Sequence, residues 1–251
     1  MADVVGSSLA APWLSASVGI PLAAALATKF SGSPQRARGI AATASAASLL
    51  LSLEAVRELA LKGWTTLSEP WVPAVFQATA LNAVTMALFA ALTLAMIVSA
   101  PRRDSSPHSV AQVLTLLAGV LAAYGAIHLP VFLAGWILGL APFFAEARSG
   151  GGRAGLWEFA GSTALLAMGI VAQASNPAAS FWLLALAAIL RTGVFPFHGA
   201  AVSRFEKRSL GPAGLLLNAQ LGAFLLFRFA LPIYPESAKN AQNWLCWLAL
   251  L

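Results

Sequence analysis

Runs of about twenty predominantly apolar residues recur from one end of the chain to the other, and they constrain the fold more than anything else in it. A helix needs roughly 20 such residues to cross the hydrocarbon of a bilayer. Runs of that kind fall near Ser8–Thr28, Ile40–Ala60, Phe76–Ala100, Val110–Ile127, Leu129–Ala145, Gly155–Ala174, Ala178–Phe197 and Gly211–Tyr234. A further one starts at about Trp244 and stops at Leu251, too short to span, so it reads either as a partial ninth helix at the interface or as the start of something longer. The runs are rich in Ala and Leu and do not alternate, which excludes strands. In lipid every backbone polar group must be satisfied internally, so the class is all-α, a polytopic transmembrane bundle forming a single domain over 1–251.

Composition agrees. Of 251 residues 59% are hydrophobic and 10% charged, against about a quarter charged in soluble domains. The net charge of +6 does not point to nucleic acid, because the basic residues lie between apolar runs instead of clustering on a polar face. Cys246 is the single cysteine, which excludes an intrachain disulfide and a multi-cysteine metal or cluster site. The opening Met-Ala-Asp-Val-Val-Gly lacks the basic region of a secretory signal, so the first run is expected to be a retained helix.

Assigning alternate connections to one side collects Lys29, Arg36, Arg38, Arg102, Arg103, Arg148, Arg153, Arg204, Lys207 and Arg208, ten of the fifteen Lys and Arg. Basic loops face the cytoplasm, so the N-terminus is expected outside it, in a multi-pass protein of the inner (cytoplasmic) membrane. Only Lys62–Val75 is long enough for an external loop or hairpin, and its Trp64 and Trp71 read as interfacial anchors. Ser149–Arg153 lacks the spacing and context of a phosphate-binding loop and reads as a turn. Arg204–Arg208 forms a basic loop, after which Ser209 or Gly211 caps and Pro212 starts the next helix.

Ionisable groups inside the apolar runs are where chemistry is sought. A guanidinium near the bilayer centre costs about 2.5–3.5 kcal/mol on insertion scales, so Arg191 needs a partner, a wet cavity or a task. Pro196 cannot donate to the carbonyl of Thr192, so a helix break is expected near Pro196, beside the charge. His198 follows, able to exchange a proton near neutral pH. Glu54 and Arg57 share a helix face and read as a surface pair at a helix end. Glu158 suits the positive end of the sixth helix, with a proton relay as the alternative. His128 reads as a solvated loop residue. No nucleophile–base pair, metal cluster or nucleotide fingerprint stands in the sequence, so no catalytic, cofactor or metal site is expected.

The run Ala187-Ala-Ile-Leu-Arg-Thr-Gly-Val-Phe-Pro-Phe-His198, then Gly211-Pro-Ala-Gly-Leu-Leu-Leu-Asn-Ala219 and Leu226-Phe-Arg228, resembles the antiporter-like, proton-conducting membrane subunits of respiratory complex I and their relatives. In that family Lys-Ser-Ala-Gln-Phe-Pro-Phe-His lies on a broken seventh helix and Pro-Val-Ser-Ala-Leu-Leu-His-Ala on the eighth. Ala80-Leu-Asn-Ala-Val-Thr85 is similar to the family's third-helix Leu-Asp-Ala-Leu-Ser, and His128–Leu140 to its fifth-helix pattern ending Trp-Glu-Leu. The resemblance covers about Trp71 to Leu251. It places Ile137 at the family's glutamate, Arg191 at its lysine, Asn218 at its histidine and Asn82 at its aspartate. Buried lysine can become neutral and relay protons, whereas arginine stays protonated. A complete family member continues through several more helices, including a second broken one.

The resemblance therefore implies a membrane subunit of a complex I-like, proton-translocating assembly with a degenerate path, in contact with other membrane and peripheral subunits, the lipid bilayer and small ions. Ion-path candidates are Arg191, His198, Asn218, Glu158 and Glu54. Two alternatives stand beside it: the membrane partner of an inorganic-carbon uptake or cation-antiport complex, and a scaffold subunit that transports nothing.

Overall fold

The computed structural model describes residues 8–69, 75–100, 106–148, 156–193 and 220–250. Among these the chain is helical apart from one short hairpin, with nine helices: α1 Trp13–Lys29, α2 Pro34–Leu61, α3 Ala80–Ser99, α4 Pro107–Gly125, α5 Leu129–Arg148, α6 Leu156–Ala172, α7 Pro177–Thr192, α8 Gln220–Ile233 and α9 Pro235–Leu250. α2, α3 and α4 are long and apolar enough to cross a membrane, and four shorter apolar helices accompany them. This is the makeup of a multi-pass membrane protein. The chain divides into two compact units, Met1–Pro142 and Phe143–Leu251.

In the first unit small residues let helices approach closely, as they do where lipid removes the hydrophobic drive between helices. Ala24, Ala25, Ala41 and Ala44 pack with Ile97, Val110 and Leu114 in one core cluster. The Ser48 hydroxyl donates across to the Ser17 carbonyl, 3.0 Å away. α2 starts where Ser33 accepts from the Arg36 N–H and Pro34 supplies the first turn. It ends in a Schellman turn: Gly63 adopts φ 69°, its N–H bonds to Ala60, and the Trp64 N–H bonds to Leu59. Trp64 stays exposed, while Trp71 lies outside the described residues. α4 is buried without interruption from Leu116 to Gly125. Its partner is α5, reached through glycine: a Cβ built on Gly119 would sit 2.3 Å from the Gly139 nitrogen and 2.9 Å from the Gly135 oxygen. The facing pattern Gly135-x-x-x-Gly139 is a small-residue contact of the membrane type.

One end of this unit is gathered by the segment after α2. β1 (Leu67–Ser68) pairs antiparallel with β2 (Gln77–Ala78), Ser8 bridges to Ser68 and Phe76 to Ala126. Of the loop or hairpin expected over Lys62–Val75, a hairpin is what the strands make, with β2 falling just beyond that stretch at the start of the third apolar run. The connection also brings a carboxylate to the start of α1, whose cap position is Pro12 and supplies no side-chain acceptor. Glu69 accepts from the Ser15 backbone N–H at 2.8 Å and from the Ser15 hydroxyl. Glu58, from α2, accepts from the Ala10 N–H at 2.8 Å and the Trp13 indole at 2.6 Å. Acids at the positive end of a helix satisfy its free donors and favour its dipole.

In the second unit α6 and α7 form an antiparallel hairpin. Asn176 caps α7 by accepting from the Ala179 N–H at 3.0 Å, and Pro177 follows. α7 stops at Thr192 because Gly193 takes φ 69°, a left-handed end that favours glycine. The helix therefore ends at Thr192, four residues ahead of Pro196, which itself lies outside the described residues. α8 contains a π-turn over Leu226–Ala230, where the Leu231 N–H reaches the Leu226 carbonyl. Pro232 explains it, since proline offers no N–H to the Arg228 carbonyl and the ladder shifts to accommodate this.

α9 differs from expectation: it starts at Pro235, not near Trp244. Its first half, Pro235–Asn243, is polar and so gives no apolar run, yet it carries helix-start signals. Pro235 stands in the first turn with Glu236 beside it, and the Ala238 N–H donates to the Tyr234 carbonyl.

Candidate functional site

The strongest convergence of chemistry lies where α6 begins and α7 ends. Three contacts fix their register. The Ser180 hydroxyl donates to the Gly169 carbonyl at 2.7 Å, a Cβ on Gly161 would meet Leu190 at 3.1 Å, and the Arg191 guanidinium carbon lies 5.0 Å from the centre of the Phe159 ring. Descending α6 from Gly169 to Phe159 thus matches ascending α7 from Ser180 to Arg191. Arg191 is 4% exposed. Its stack on Phe159 is a cation–π contact, strengthened by removal from water, and Phe159 packs in turn on Phe143 with centroids 5.1 Å apart.

Glu158 stands in the first turn of α6, as expected for a carboxylate at a helix start, and is only 7% exposed. α8 comes within backbone contact of the last turn of α7: a Cβ on Gly222 would lie 2.5 Å from the Ala188 carbonyl oxygen and 2.6 Å from the Thr192 methyl carbon. α6, α7 and α8 therefore meet around one buried arginine.

The remaining candidates are elsewhere. Glu54 pairs with Arg57 at 2.6 Å, both side chains exposed to solvent. His198, Asn218, the helix break at Pro196 and the basic loop Arg204–Arg208 with Ser209, Gly211 and Pro212 lie outside the described residues, as do Arg102, Arg103 and Ser149–Arg153. His128 is exposed just ahead of α5, where its carbonyl accepts from the Phe132 N–H at 3.0 Å.

Asn82 is fully buried, a structural knot. Its side-chain oxygen accepts from the Thr79 N–H at 2.7 Å, and its amide nitrogen donates to the carbonyls of Gln77 at 2.6 Å and Tyr124 at 3.0 Å. Together with Thr79 it closes a capping box at the start of α3.

No protein-family model matches the chain. It is similar to NADH-quinone oxidoreductase subunit 13 of Thermus thermophilus. The two are 35% identical over 98 residues, covering 36% of this chain and 20% of that protein. The chain thus spans about a fifth of the length of that relative.

Beside this distant, partial similarity, two positions acquire a physical account. Ile137 is 49% exposed on α5, next to the fully buried Trp136, so the position where the resemblance expects a glutamate points out of the packed core. At Asn82 two carbonyl oxygens demand donors, which an amide supplies and an ionised carboxylate does not.

Glu58 and Glu69 were not singled out by the sequence reading, yet both are buried. A signal existed for the first: Ala37, Ala41, Ser45, Ser48, Ser52 and Ala55 form the buried stripe of α2, and the same three-to-four spacing continues to Glu58. For Glu69 no such pattern exists, because it acts from an irregular segment on a helix 54 residues away.

Proposed function

We propose that the chain serves as a membrane subunit of a complex I-like, proton-translocating assembly of the cytoplasmic membrane, in which its own proton path is interrupted at α7. One observation carries the reading: a buried arginine occupies the end of α7, in a chain similar over 98 residues to a subunit of NADH-quinone oxidoreductase. A proton relay must release its proton, and a guanidinium does not do so at accessible pH. Protons there pass by other groups, His198 or water, or do not pass. The soluble and membrane subunits that perform the coupled reaction are other chains.

The second reading is a scaffold that conducts nothing. It draws support from Asn82, whose side chain is committed to backbone partners, and from Ile137 on the outer face of α5. Arg191→Lys separates the two. With the assembly purified and placed in vesicles, the first reading expects proton flux per complex to rise above the unsubstituted level, because lysine can be neutralised when buried. A scaffold role predicts unchanged flux in both Arg191→Lys and Arg191→Ala at equal complex content.

A further inference from the structure

We infer that a water molecule is held in the middle of the seam between α1 and α2, bridging the hydroxyls of Ser45 and Ser48 where Pro21 interrupts the backbone ladder of α1. The site lies within the first unit, goes beyond the proposed function and holds whether or not the chain conducts.

The chemistry of the seam starts with a proline. Pro21 stands inside α1 and has no N–H, so the Ser17 carbonyl one turn earlier loses its partner in the helix ladder. A buried carbonyl so freed needs a donor from elsewhere. The Ser48 hydroxyl of α2 supplies it at 3.0 Å. Having given its one proton to that carbonyl, the Ser48 oxygen keeps lone pairs with which to accept.

Ser45 is left without such an account. It is fully buried, and its hydroxyl meets no hydrogen-bond partner among the described residues. The other buried serine and threonine hydroxyls described in this unit are all engaged: Ser17 donates to the Leu14 carbonyl at 2.7 Å, Thr28 to Ala25 at 2.9 Å, Ser52 to Ser48 at 2.8 Å and Thr93 to Phe89 at 2.8 Å. Each of these turns back on its own helix, and Ser45 does not. Its direction follows from its neighbours. Ala41, Ser45, Ser48 and Ser52 are buried at intervals of four, three and four, one stripe of α2. Ala41 of that stripe packs with Ala24 and Ala25 of α1, and Ser48 reaches Ser17. Ser45 lies between them and therefore faces the seam, at the level of Pro21, one turn on from Ser17.

Two residues three apart on a helix have Cβ atoms about 5–6 Å from each other. That separation suits one bridging water, which accepts from the Ser45 hydroxyl and donates to the Ser48 oxygen, meeting the need of a buried water for at least two polar partners. A neutral ligand is what fits, because the buried stripe from Ala37 to Ala55 carries no charge. Ala55 also separates Ser52 from Glu58 on the same stripe, so the hydroxyls make a local site and not a continuous polar line to the carboxylates at the start of α1.

Unfolding of the full chain in detergent tests this by sign. For a hydroxyl with no partner, Ser45→Ala would raise stability, through relief of an unpaired polar group and through better helix propensity. The water site predicts the opposite, a ratio of folded to unfolded chain lowered about threefold or more. Ser48→Ala is expected to lower it further, since it also strands the Ser17 carbonyl. The double substitution Ser45→Ala with Ser48→Ala is expected to be no worse than Ser48→Ala alone, because the bridge is already lost. Ser45→Ala at parental stability or above overturns the inference. So does a double substitution whose loss is the sum of the two singles, the result that a Ser45 hydroxyl turned back on its own helix would give. Exchanging potassium for sodium at constant ionic strength is expected to change nothing, and a rise in stability would place a cation at the hydroxyls and overturn the water. Should Ser48→Ala yield no folded chain, the sign of the Ser45→Ala change decides alone.

Discussion

Replacing Gly119 by leucine is expected to be the most damaging single substitution in the first unit. The new side chain meets backbone, not a side chain that could rotate away: its Cβ would lie 2.3 Å from the nitrogen and 2.6 Å from the Cα of Gly139, and 2.9 Å from the Gly135 oxygen. α4 and α5 must separate to admit it. α4 is buried along most of its length, so the separation would spread through the neighbours it packs against. Overpacking of this kind costs about 3 kcal/mol, and the chain should be largely lost from membranes and unfold at lower temperature in detergent. Gly19→Ala and Gly39→Ala provide the comparison, because a Cβ at either position meets nothing within 4 Å. Alanine in a helix interior is favoured over glycine by about 1 kcal/mol, so these two should be neutral or mildly stabilising. Equal stability of Gly119→Leu and Gly39→Ala would show that the α4–α5 contact does not exist.

Asn82→Asp is expected to rank next, although it changes one atom. The amide donates to two carbonyl oxygens, of Gln77 and Tyr124, and aspartate at neutral pH turns both donors into an acceptor facing acceptors. The residue has no exposed surface, so water cannot relieve the repulsion. Losing buried bonds and leaving their partners unsatisfied costs about 2–4 kcal/mol. The sign of the pH dependence follows: the ionised form is the one that clashes, so stability of the variant should rise as pH falls and the carboxyl gains a proton that it can donate. Thermal unfolding of the variant at neutral and acid pH, each against the unsubstituted chain, reads this directly. A variant as stable as the parent at neutral pH would contradict the arrangement at the start of α3.

Much of the architecture is written locally. Ser33-Pro34 and Asn176-Pro177 mark helix starts by capping chemistry that any reader of the sequence can apply, and the structure uses both. The apolar runs locate eight helices, since length and composition alone decide that matter. α9 was misplaced because its first half is polar, and only its proline and first-turn acid announce it.

The candidate site was half legible. Arg191 stands out in any apolar run, and the exposed Glu54–Arg57 pair follows from spacing. What sequence spacing does not contain is the register between helices, which depends on where glycines permit contact: Gly169 and Gly161 set Arg191 against Phe159. The acids Glu58 and Glu69 escaped notice for the same reason, because each is justified only by a partner some 45 to 54 residues away.

The proposed role is decided by what the chain travels with. The tagged full chain would be extracted from its own membranes in mild detergent, purified by its tag, and every co-purifying protein identified. Subunits of a quinone reductase in fixed proportion to the chain are the predicted outcome. A chain that purifies alone, or one that brings down a large zinc-binding protein and no quinone-reductase subunit, would contradict membership of a complex I-like assembly.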